Sequence, residues 1–170
     1  MKAQLATLIL ALSACGHAHK WQVDPELAPY VEAFYQAAAA RDLHLERSDL
    51  IVEFGDLKEA PGYTENGRCE HEFNSTHKVV ISNQMKAALD DIQLQPLMTH
   101  ELGHCLLGLE HDNRLNADGT PVSVMHEDTA TITTAFHLSR EYYYNQLFNY
   151  YKWVQCEATT SRAFTCKVEE

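Results

Sequence analysis

The stretch HELGHCLLGLEHD, residues 100–112, sets two histidines four positions apart with a glutamate beside the first. Four residues of an α-helix turn through about 400° and rise about 6 Å, so His100 and His104 share one face. That spacing lets two imidazole nitrogens grip one ion at about 2.0–2.1 Å each. Glu101 can then reach a water on the ion without ligating it, and can take the proton as that water attacks a carbonyl. His111 is harder to place. On a continued helix it would lie about 10 Å beyond His104 along the axis, too far to share the ion. The chain must turn back first. Gly108 accepts the left-handed conformation that ends helices, whereas Cys105, Leu106 and Leu107 each carry a Cβ that resists it. The spacing therefore predicts a helix over residues 95–107, a turn at Gly108 and a return that brings His111 to the pair. Asp112 is an alternative third ligand, and so is a later glutamate, Glu127 or Glu141.

Further on, Ser-Val-Met at 123–125 is followed by His126. The whole pattern resembles that of the metzincin zinc peptidases, and of their matrixin-like branch in particular: HExxHxxGxxH followed by a methionine-containing turn. His100, Glu101 and His104 match directly. Gly108 and His111 match after one inserted residue, and Glu127 stands where that family often has proline. The resemblance covers about residues 98–127. It implies an α+β, zincin/metzincin-like fold. In that fold a small mixed sheet packs on an N-terminal helix and the HExxH active-site helix, and a C-terminal helix follows. It implies Zn²⁺ held by His100, His104 and His111, with Glu101 as general base and Met125 in the turn beneath the metal. It implies an endopeptidase acting on a protein or peptide. An extended substrate would pair with an edge strand, for which Val79, Val80, Ile81, Ser82 and Asn83 are the counterpart.

The rest of the chain sets the context. Its 170 residues suit one domain, and 45% hydrophobic content permits a sizeable core. A formal net charge of −11 leaves no basic surface for nucleic acid, so that partner is excluded. Residues 1–14 read as a lipoprotein signal peptide: Lys2, an apolar run from Leu5 to Leu12, then Leu-Ser-Ala-Cys. The run is too short to span a bilayer. Cleavage before Cys15 would lipidate that cysteine, so the only membrane contact expected is the lipid anchor. Gly16 after it favours the outer membrane of a bacterium. Residues 15–24 then read as a tether carrying His17 and His19, and 25–170 as a single domain. Export favours disulfides. Cys156 and Cys166 are close enough to staple the C-terminal tail, which leaves Cys69 to tie a loop to Cys105 on the motif helix.

Local patterns predict the other elements. Asp24-Pro25 opens a helix to about Arg41, with Leu27, Tyr30, Val31, Phe34 and Ala38 on one stripe. Residues 50–54 and 77–84 read as strands, and residues 59–70 between them, with Pro61-Gly62 and Asn66-Gly67, as turn-rich, leaving the number of strands open. Ser139 caps a C-terminal helix with Glu141 in its first turn. His71, His77, His126 and His137 read as surface or structural histidines. The tyrosines at 142–144, 150 and 151 read as helix packing, and Asn116-Ala-Asp-Gly-Thr120 as a turn rather than a calcium loop. Two rival functions accompany the endopeptidase. One is a non-catalytic zinc-binding surface lipoprotein, against which Glu101 argues, since a structural site needs no general base. The other is a zinc amidase acting on cell-wall peptide. Nothing in the sequence specifies an oligomeric state.

Overall fold

A computed structural model describes residues 20–47, 49–60, 63–71, 76–86 and 90–159. The signal peptide at 1–14, the lipidation site Cys15, His17, His19 and Cys166 lie outside the described residues. No helix among the described residues is long and apolar enough to cross a membrane.

The fold is a mixed α+β arrangement with a small mixed sheet and five helices among the described residues. Strand β1 (Trp21–Val23) precedes helix α1 (Ala28–Ala39). Strands β2 (Leu50–Gly55), β3 (Glu59–Ala60), β4 (Tyr63–Thr64), β5 (Gly67–His71) and β6 (His77–Ser82) follow. Helices α2 (Asn83–Lys86), α3 (Asp91–Leu107), α4 (Thr129–Leu138) and α5 (Arg140–Thr159) complete the order. The main sheet runs β1-β2-β6-β5: β1, β2 and β6 are parallel, and β5 is antiparallel to β6. Strands β3 and β4 pair separately as a short antiparallel hairpin.

The core is built from period-correct apolar faces. Leu27 at the cap of α1 and Val31, Phe34 and Ala38 along one side of it are buried, as their helical spacing requires. Leu50, Val52, Val79 and Ile81, alternate residues of β2 and β6, are fully buried beside them. The Phe34 and Phe148 rings meet at 5.2 Å and join α1 to α5, while Phe136 and Tyr144 at 5.4 Å join α4 to α5. Of the tyrosines on α5, Tyr143 and Tyr144 are buried packing residues, whereas Tyr142 and Tyr150 stay exposed.

Several sequence expectations need correction. The tether at 15–24 does not run its full length, because Trp21–Val23 pairs with Leu50–Val52 as an outer strand. Asp24-Pro25 makes a turn ahead of α1: the Asp24 carbonyl accepts from Leu27 and Ala28, and its side chain accepts from Glu26. The motif helix begins at Asp91 rather than 95 because the Asp90 side chain caps it at Gln93, and Pro96 is carried inside. Helix α4 was unexpected. Its threonine-rich sequence has weak helical propensity, so the Asp128 cap and burial of Ile132 and Phe136 on one face decide it. The predicted strand at 77–84 ends at Ser82, and Asn83 opens α2. Most consequential for function, Val79, Val80, Ile81 and Ser82 are not an edge. Strand β6 lies between β2 and β5, so both of its edges are paired. The edge beside the motif helix is β5, in the segment read as turns.

Candidate metal centre

The motif helix ends where glycine permits. Gly108 adopts φ 63° and ψ 27°, the left-handed conformation expected of it. Its N–H donates to the His104 carbonyl at 3.1 Å, and Leu109 N–H donates to the Gly103 carbonyl at 3.2 Å. This paired closure satisfies the last helical carbonyls and reverses the chain. The Asp112 N–H then donates to the Met125 carbonyl at 2.9 Å, tying the returning segment to the turn at 123–126. That turn is closed by Ser123, whose Oγ accepts from Met125 N–H at 3.1 Å.

The result is a convergence of three histidines. One ring nitrogen from each of His100, His104 and His111 lies within 4.8 Å of the other two, a group that could hold a metal ion. Ring centroids are 4.6 Å apart for His100–His104, 5.2 Å for His100–His111 and 4.8 Å for His104–His111. The orientation of two rings is set by backbone carbonyls. His100 Nδ1 lies 2.9 Å from the Val124 carbonyl, and His104 Nδ1 lies 2.5 Å from that of Leu109. A carbonyl only accepts, so both Nδ1 atoms carry the proton and both Nε2 atoms present lone pairs. Those two Nε2 atoms lie 3.0 Å apart. Two lone pairs at that separation repel unless a cation lies between them, and two nitrogens on a tetrahedral ion stand about 3.3 Å apart. The donor set thus fits a metal.

Burial favours the neutral form of the two helix histidines. It pushes His100 down to about 3, against the opposing effect of the Val124 hydrogen bond, with the neighbouring His104 and His111 adding to the shift. Burial lowers His104 as well. Neutral imidazoles are what a metal requires.

Two of the three alternative ligands are engaged elsewhere. Asp112 turns to Arg114, with contacts of 2.7 and 2.8 Å. Glu141 pairs with Arg41 at 2.7 Å on the far end of the fold. Glu127 lines the cleft but is not among the grouped ligands. His126 accepts from Asp128 N–H through Nδ1 and stays outside the triad.

Glu101 is 5% exposed and makes no hydrogen bond through its carboxylate among the described residues. Burial pushes its carboxyl up to about 8, with Glu65 adding and Arg68 opposing. It opens with the three histidines into a cleft of about 530 Å³, walled on one side by Gly67 and Arg68 of β5 and on the other by Glu127. Arg68 is held on that wall by ion pairs to Glu65 and Glu70. Beneath the site, Met125 is buried, and its sulfur fills the space a side chain at Gly103 would occupy.

Two cysteines on neighbouring elements complete the frame. Cys69 of β5 and Cys105 of α3 form a disulfide, with Cα atoms 5.3 Å apart. Cys156 is also disulfide-bonded. Sequence reasoning missed β5 and therefore Gly67. The available signal was the matched spacing of Gly67-x-Cys69 with Glu101-x₃-Cys105. The carbonyls of Val124 and Leu109 carry no sequence signal, because any residue supplies one. No protein-family model matches the chain, and no curated protein or solved structure matches it.

Proposed function

We propose that this protein is a metzincin-like zinc endopeptidase, with Zn²⁺ held by His100, His104 and His111. The observation that carries the reading is the buried Glu101 carboxylate, unpartnered among the described residues, beside three convergent imidazoles. Bound zinc would supply a Lewis acid that lowers the pKa of a water and polarises a peptide carbonyl. Glu101 takes the proton from the attacking water and returns it to the leaving amine. His100 and His104 are kept in the ligating tautomer by the Val124 and Leu109 carbonyls.

The sheet order supports a docking edge for an extended substrate on β5 rather than β6. One edge of β5 is occupied by β6, and its backbone lines the cleft. An extended peptide adding to the side of β5 opposite β6 would place main-chain carbonyls beside Glu101, with recognition by backbone hydrogen bonds. The leader at 1–14 and Cys15 would export the enzyme and anchor it by lipid to a bacterial membrane.

The test is Glu101→Ala. Hydrolysis of a denatured protein such as casein should fall by at least about 100-fold, the usual contribution of a general base. Bound zinc should stay near one per chain. A purified variant that cleaves like the wild type would rule out this mechanism.

A further inference from the structure

Strand β5 and helix α3 run side by side with matching steps. Gly67 and Cys69 are two apart on a strand, so they face the same way at a spacing of about 6.6 Å. Glu101 and Cys105 are four apart on a helix, so they share a face at about 6 Å. Cys69 is bonded to Cys105. That bond sets Gly67 against Glu101, where a Cβ on the glycine would lie 2.6 Å from Oε1, 2.8 Å from Cγ and 2.9 Å from Cδ. Carbon contacts are normally about 3.5–4.0 Å. Three atoms along the side chain are involved, so rotating the terminal carboxylate does not relieve the clash.

Neither backbone can retreat. Strand β5 is held by the disulfide and by its ladder to β6, where Gly67 pairs with Ile81. Helix α3 is backed by Met125 against Gly103. The Glu101 side chain itself would have to leave its place. Gly67 does not adopt the left-handed conformation, so alanine suits its backbone, and a substitution there reads the contact with Glu101 rather than backbone strain.

We propose that Gly67 is a positioning residue whose bare backbone forms the wall that holds the Glu101 carboxylate beside the three histidines, with Cys69–Cys105 setting the register of that wall. The functional consequence rests on the general-base role proposed for Glu101; the contact does not.

The experiment is a double-mutant cycle of Gly67→Ala and Glu101→Ala, each protein saturated with zinc. Gly67→Ala alone should lower Tm by about 3–8 °C, the range for overpacking in a domain of this size. In the Glu101→Ala background the same change should move Tm by less than about 2 °C. Gly67→Ala should also keep one zinc per chain and a near-normal KM while kcat falls about 100-fold. Equal Tm losses in both backgrounds, or wild-type kcat in Gly67→Ala, would overturn the proposal. Should the wild type hydrolyse no peptide bond, the peptidase reading fails, and the Tm cycle still decides the contact.

Discussion

Replacing Cys69 with serine opens the bond between the cleft's edge strand and the motif helix. The two cysteines are 36 residues apart in sequence. Closing a loop of that length removes roughly 13 cal/mol/K from the unfolded chain, which is about 3.8 kcal/mol at 25 °C. For a domain of this size that corresponds to a Tm loss of about 10–15 °C. The loss should appear in calorimetry of Cys69→Ser beside the wild type, both under non-reducing conditions. Zinc should remain near one per chain in the variant at a temperature where it is folded. All three histidines are positioned by α3, the Gly108 turn and the Met125 turn, and none by β5. A Tm shift under about 3 °C would refute the idea that loop closure, rather than packing, secures β5. Loss of zinc from the folded variant would refute the independence of the triad from that strand.

Further outcomes follow from the site. His111→Ala should weaken zinc affinity about 100-fold or more, since structural sites with four protein ligands are worth about 10–16 kcal/mol, or roughly 3 kcal/mol per ligand; Asp112→Ala should change it less than tenfold, and competition with a chromophoric chelator separates them. Gly108→Ala forces a Cβ into φ 63° and should cost about 1 kcal/mol, or about 3 °C in Tm, with weaker zinc binding because Leu109 no longer orients His104. The metal-free protein should have a two-sided pH profile. His100, held down to about 3, refuses a proton that the unfolded chain accepts below about 6.5, so its contribution is lost as pH falls from 6.5 toward 3. Glu101, pushed up to about 8 from 4.5, keeps a proton that the unfolded chain releases, so its contribution is lost as pH rises from 4.5 to 8. Tm of the chelated protein should therefore plateau between about 4.5 and 6.5. Glu101→Gln should remove the alkaline decline, and persistence of that decline would assign it elsewhere.

Much of the candidate centre is legible in the sequence. The i, i+4 spacing of His100 and His104, the place of Glu101 and the turn at Gly108 are local properties of a helix and of a residue without Cβ. The third ligand is only partly legible. His111 and Asp112 are adjacent, and the choice between them depends on Arg114 drawing Asp112 away and on Met125 fixing the returning backbone. Strand β5 is hidden because its segment carries glycine and turn dipeptides, which argue against a strand locally. Pairing with β6 and the bond to Cys105 override that preference.

The sequence by itself determined what needs only a helix and a turn: two histidines on one helical face, a glutamate beside the first and the point of chain reversal. Short-range geometry suffices there, because 3.6 residues per turn and the steric freedom of glycine do not depend on distant partners. The tertiary structure decided which strand is an edge, which carbonyls aim the imidazoles and that Gly67 faces Glu101. Apart from the Leu109 carbonyl, which lies five residues from His104, those facts depend on residues far apart in the chain meeting in space. Strand order and backbone hydrogen bonding leave little trace in residue identity, since every residue but proline offers the same N–H and C=O.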